Sequence, residues 1–135
     1  MKNITVACEE KNIKTVNEFV REVLEPHISE KKILRKLCMV TDELITNIVS
    51  YAYEGDYGEA TVEVDIIEEE NMVTMVFIDS GEPFNPLESE DPDTKLKTSE
   101  RKPGGLGLYM VKNIMDEVKY EYKNNQNIVT VKKKL

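Results

Sequence analysis

The chain has 135 residues, 40% hydrophobic and 33% charged, with 26 acidic against 18 basic side chains and a formal net charge of −8. That length suits one domain around one core, burying about two-thirds of the surface an unfolded chain exposes, so residues 1–135 are read as a single unit. Acidity disfavours a general nucleic-acid binder, because a negative surface repels phosphate backbones. One histidine and two scattered cysteines, Cys8 and Cys38, assemble no zinc-ligand spacing, and they read as two small thiols in a reducing cytosol.

Residues 3–8 alternate like a short strand. Residues 12–25 place Ile13, Val16, Phe19, Val20, Val23 and Leu24 on one helical stripe that ends near Pro26. Ser29 is a predicted N-cap for a long helix running to about Tyr53, broken by Gly55 and Gly58. Tyr51 and Tyr53 are expected to pack in the core at its end. Residues 60–68 alternate and 72–78 are almost wholly apolar, so both read as strands, the second more buried. From Gly81 to Gly104 no period holds and four prolines interrupt the chain, which predicts a long functional loop, about 81–107. Leu108, Val111, Ile114, Met115 and Val118 step at helical spacing. Residues 118–123 and 127–134 then read as a hairpin around Asn124–Asn125–Gln126. This order, with helices segregated from an antiparallel-rich sheet, predicts an α+β sandwich: a mixed, mostly antiparallel sheet with three helices on one face. The N-terminal residues lack the apolar core of a signal peptide, and no apolar run reaches the roughly 18 residues needed to span a bilayer. A soluble, cytoplasmic protein with no membrane partner is expected.

The charge is unevenly placed. Between Glu54 and Asp93 stand 14 acidic residues and no basic one, while the remaining 95 residues hold 18 bases and 12 acids. A polyanionic small ligand would therefore need a metal or oriented backbone dipoles to neutralise it.

Four groups of residues carry chemistry. Glu43 and Asn47 lie four apart on the long helix, among Leu44, Ile45, Ile48 and Val49, so they share one poorly solvated face. A carboxylate beside an amide can orient a hydroxyl or offer an oxygen to Mg²⁺, though the pair also reads as ordinary helix polars. Asp79 ends the apolar strand before Ser80 and Gly81. It reads either as a turn former or as an acceptor for an exocyclic amine, with Gly81 leaving room for a flat ring. Gly104–Gly105–Leu106–Gly107 directly precedes a helix, where backbone amides can converge on an anion, although flexible loop ends look the same. Arg101, just upstream, suits phosphate oxygens better than the solvated lysines around it. Thr130 in the last strand and His27 at a helix end need no functional explanation on their own.

Taken together, these motifs resemble one family. Glu43-Leu-Ile-Thr-Asn47 looks like the N box of the GHKL (histidine kinase-like) ATPases, Asp79-Ser-Gly81 like their first glycine box, and Gly104-Gly-Leu-Gly107 like their second. Their order, spacing and helix, strand and loop contexts agree over nearly the whole chain. The short length, the TNIVSYAY end of the N box, the PFNP after the first glycine box and the ERKPGGLGLYMVKNIMDEV run most resemble the bacterial anti-sigma factor serine/threonine kinases. One departure is Pro83, which stands where relatives often carry a second glycine and implies a stiffer loop hinge.

The resemblance implies a Bergerat α/β sandwich that binds ATP with Mg²⁺ between the long helix and the loop, which acts as a lid. Glu43 would be the catalytic base, Asn47 would ligate Mg²⁺, Asp79 would accept the adenine amine and Gly81 would pack near the ring. Gly104, Gly105, Leu106 and Gly107 would wrap the phosphates, Arg101 would reach the γ-phosphate or a partner, and Thr130 would support the adenine site. The implied substrate is a serine on a STAS-domain anti-anti-sigma protein, and the other implied partner is a sigma factor. A homodimer is expected on the same ground. An ATP-gated binding module without phosphotransfer is the alternative. On this reading the change from acid to base at Lys95 tracks the nucleotide, with acid near adenine and base near the phosphates.

Overall fold

A computed structural model describes residues 1–88 and 105–135. It is α+β: five strands in one open sheet, with three α-helices on one face. The strands are β1 (Lys2–Ala7), β2 (Glu59–Ile67), β3 (Met72–Asp79), β4 (Glu117–Lys123) and β5 (Gln126–Lys134), in the spatial order β1-β2-β3-β5-β4. Every neighbouring pair is antiparallel, so the mixed component expected of the sheet does not occur among the described strands.

The core follows from periodicity. In β3, Val73, Met75, Phe77 and Asp79 are buried while the residues between them are half-exposed, the two-residue alternation of a sheet covered on one side. Val62 and Val64 of β2 and Val129 and Val131 of β5 continue that face. Helix α1 (Lys11–Leu24) lays Val16, Val20 and Leu24 against it, and α2 (Lys31–Tyr51) adds Leu34, Leu37, Val40, Thr41, Leu44 and Ile45. Burying one such side chain contributes about 1.5–3 kcal/mol. The one buried polar residue in these helices, Thr41, donates its hydroxyl to the Leu37 carbonyl at 2.9 Å, so its burial leaves no donor unpaired.

Local chemistry sets the boundaries. Helix α2 begins one residue later than Ser29 predicts. Ile28 is drawn into the core, Glu30 becomes the N-cap without any side-chain cap bond, and its carbonyl accepts from Ile33 and Leu34. His27 in the preceding 3-10 turn sits exposed, with Nδ1 3.0 Å from Glu68 Oε1. The β4–β5 hairpin turns at Asn124 (φ 55°) and Asn125 (φ 62°), two successive left-handed residues as a tight primed turn requires. Helix α3 (Gly105–Ile114) starts earlier than expected, taking Gly105 and Gly107 into its first turn.

Both cysteines are free and half-buried. No helix among the described residues is long and apolar enough to cross a membrane.

Candidate nucleotide site

A cavity of about 500 Å³ opens between the second half of α2, the ends of β3 and β5, the strap Glu82–Pro86 and the start of α3. That volume is ordinary for a small-molecule site. Leu44, Ile48, Phe77, Leu108 and Val129 form its apolar walls, and Asn47, Asp79 and Asn127 are its polar points.

Glu43 and Asn47 lie one helical turn apart in α2, as their spacing requires, and both are half-buried. Asn47 lines the cavity, and Glu43 stands one helical turn before it. Burial pushes the Glu43 carboxyl above its ordinary range and neighbouring Asp42 adds to this, while the Asn47 side chain pulls the other way. The expected poorly solvated face is present. The Asn47 amide also carries an oxygen that can act as an acceptor. Among the described residues no cluster of three acidic, histidine or cysteine side chains could cage a metal. One amide oxygen nevertheless fits Mg²⁺, which keeps several waters and takes substrate phosphates as its remaining ligands.

Asp79, the last residue of β3, lines the same cavity and is 7% exposed. Its Oδ1 accepts from the Gly81 N–H and from Asn127 Nδ2, both at 2.9 Å. Oδ2 carries no hydrogen bond among the described residues. Gly81 itself does not line the cavity. A Cβ there would collide with the Ala52 carbonyl at the end of α2, so the missing side chain admits a close backbone approach rather than a ring. Gly107 is likewise tight: a Cβ would overlap the Glu43 carboxylate. The start of α3 thus rests directly on that group. Arg101 and Gly104 lie outside the described residues, and so does the greater part of the expected lid. Gly105 and Leu106 are described only as backbone of α3.

Thr130 is not at this site. In β5 the buried residues Asn127, Val129 and Val131 face the helices, and Thr130, paired with Val76, points to the opposite face of the sheet. Strand parity therefore turns Thr130 away from the cavity. Asn127 lines it instead, directly across from Asp79 in the β3–β5 register. The sequence carries a signal for it: a polar residue on the same parity as the buried Val129 and Val131.

The tyrosines also depart from expectation. Tyr51 is 54% exposed at the cavity rim. The Tyr53 hydroxyl donates to the Glu59 carbonyl at 2.6 Å and accepts from the Ser80 N–H at 2.7 Å, tying the end of α2 to β2 and β3. Its ring lies on Gly58, where a Cβ would collide with it.

One cavity thus gathers Asn47, Asp79 and the start of α3, with the Glu43 carboxylate one helical turn before Asn47. Residues 6–133 match the family described as "Histidine kinase-like ATPase domain". The chain belongs to that family. It is similar to proteins named "Anti-sigma F factor" from Bacillus thuringiensis (strain Al Hakam), Bacillus mycoides (strain KBAB4) and Bacillus anthracis (strain A0248). Each is 34% identical over 105 residues, which is 77% of this chain and 68% of the relative. The fold is also that of a solved chain from Mycobacterium tuberculosis described as the RsbU and RsbW domains of Rv1364c. The TM-score is 0.64 at 14% identity over the whole of this chain, which spans only 33% of that longer one.

Proposed function

We propose that this protein is an ATP-dependent serine kinase of the anti-sigma type, which phosphorylates a serine on a STAS-domain anti-anti-sigma partner and sequesters a sigma factor. The observation that carries the reading is that Glu43, a half-buried carboxylate pushed up by burial, stands one helical turn from Asn47, which lines the same cavity as Asp79. A general base is most effective when its pKa approaches working pH, and desolvation moves Glu43 in that direction.

In this reading ATP is the substrate. Its adenine lies between the walls formed by Leu44, Ile48 and Val129, with the exocyclic amine donating to Asp79 Oδ2. Mg²⁺, held by the Asn47 oxygen and the nucleotide, supplies charge neutralisation for phosphoryl transfer, which depends on positioning and electrostatics more than on covalent chemistry. The N–H groups in the first turn of α3, those of Gly105 and Gly107 among them, have no intrahelical acceptor and face developing negative charge. Gly104 and Arg101 are assigned to the phosphates by resemblance. Glu43 removes the proton from the attacking serine hydroxyl while Asn47 fixes its orientation. A homodimer is part of the proposal, with a second copy covering the sheet face opposite the helices, where Val76, Ile78 and Ile128 are only half-buried.

The test is incubation with γ-labelled ATP, Mg²⁺ and a panel of STAS-domain proteins. Label on a partner serine is the expected result. ATP binding without transfer to any serine would replace the kinase by a nucleotide-gated binding module.

A further inference from the structure

Asn127 is 4% exposed and sits where the base end of the cavity meets the strap that borders it. Its Nδ2 donates to Asp79 Oδ1 at 2.9 Å and to the Glu82 carbonyl at 2.9 Å, with the Gly81 carbonyl at 3.4 Å. Its Oδ1 accepts from the Phe84 N–H at 3.0 Å and from the Tyr120 hydroxyl. The amide has two donors and one oxygen with two lone pairs, and each is used. Those partners also fix its orientation. A flipped amide would aim its NH₂ at the Phe84 N–H and its oxygen at a carboxylate and two carbonyls.

A carboxylate held by one hydrogen bond can still rotate. The Gly81 N–H alone would leave Asp79 that freedom, and the Asn127 donor on the same oxygen removes it. Oδ1 is thereby committed to the protein and Oδ2 to the ligand. We propose that Asn127 is the positioning residue for base selectivity: it locks Asp79 so that Oδ2 accepts a purine 6-amine, and it ties that lock to the strap at Glu82 and Phe84. The proposal rests on the adenine reading of the cavity. A 6-amino group donates to Oδ2, a 6-oxo group presents a lone pair to it and is rejected, and a bare 6-hydrogen makes no bond. Sites built around a hydrogen bond discriminate in this way because the protein group is otherwise left unpaired.

The test is calorimetric titration of the full chain with ATP and with purine riboside triphosphate, which lacks the 6-amine. The wild-type protein should bind ATP about tenfold more tightly, the size of one charge-assisted hydrogen bond. In Asn127→Ala that preference should fall to about threefold or less, so the two losses are non-additive, as for groups acting through one contact. Tyr120→Phe removes the donor behind the amide oxygen and should lower the preference about twofold. If Asn127→Ala weakens both nucleotides equally and keeps the wild-type ratio, the amide is merely structural and the inference fails. Should Asn127→Ala not fold, an unchanged ratio in Tyr120→Phe overturns the inference. A wild-type protein that binds both nucleotides equally would instead overturn the adenine reading, and this inference with it.

Discussion

Gly107, in the first turn of α3, packs so closely on Glu43 that a Cβ at position 107 would fall on the glutamate carboxylate. A helix start favours a negative group beside it, so the contact is electrostatically sound as well as sterically tight. It gives this glycine a reason distinct from phosphate binding: α3 can reach the proposed base only where no side chain intervenes.

Gly107→Ala tests that contact. Elsewhere in a helix the change would gain about 0.5–1 kcal/mol from reduced backbone freedom. Here the methyl displaces Glu43 or pushes α3 away. A shift of about 1 Å in a reacting group costs up to about 100-fold. Single-turnover transfer to the STAS partner should fall at least tenfold, with no gain in thermal stability. A variant both more stable and fully active would remove the contact's importance.

Glu43 also predicts opposite pH responses for activity and stability. Its carboxyl is raised above the ordinary 4.5 by burial and by Asp42, so transfer should climb with pH until that raised value is passed. Folding disfavours the charged form. Glu43 therefore contributes stability below the unfolded value and loses it as pH rises through the folded value. Glu43→Gln is neutral throughout. It should abolish transfer, retain ATP, and melt higher than wild type by a margin that is larger at pH 7.5 than at pH 4. Equal margins at the two pH values would contradict the assigned cause.

How far the sequence reached can be judged at particular residues. The α1 stripe, the β2 and β3 runs and the Asn124–Asn125 turn are legible because periodicity and turn chemistry are local. Glu43 and Asn47 were legible as a pair because four residues fix one helix face. Asn127 was not, because its role depends on lying opposite Asp79 across β3 and β5, a register that nothing within nine residues of strand specifies. The same register moves Thr130 to the far face. Gly81 and Gly107 read in the sequence as glycines that leave room for a ligand, but what fills the space, the Ala52 carbonyl and the Glu43 carboxylate, is set by tertiary packing. Tyr53 was placed in the core by its apolar ring, whereas its hydroxyl decides its position.

Cys8 lies close enough to the site to be affected by it. Burial, with Asp79 and Glu59 adding negative charge, pushes its thiol up to about 11. Since the thiolate is the reactive form, alkylation by iodoacetamide at pH 8 should run on the order of 100-fold slower than for an unperturbed thiol. Burial raises the Cys38 thiol as well, so it should also lag. Mass spectrometry of the time course reads both. Rapid labelling of Cys8 in the folded protein would contradict its burial beside Asp79.

Tyr53→Phe separates the scaffold from the site. Losing the hydroxyl removes the bonds to the Glu59 carbonyl and the Ser80 N–H while keeping the ring over Gly58. Both partners are accessible enough for water to replace part of what is lost, so the cost should be about 1 kcal/mol, seen as a lower urea midpoint at unchanged slope. Ser80 precedes the Gly81 N–H that holds Asp79, yet Asp79 keeps that bond and the one from Asn127. ATP affinity should therefore stay within about threefold of wild type, far less than the loss expected when one bond to a charged acceptor is removed at the site itself. A larger fall would mean that Tyr53, and not Asn127, sets the position of the Asp79 carboxylate.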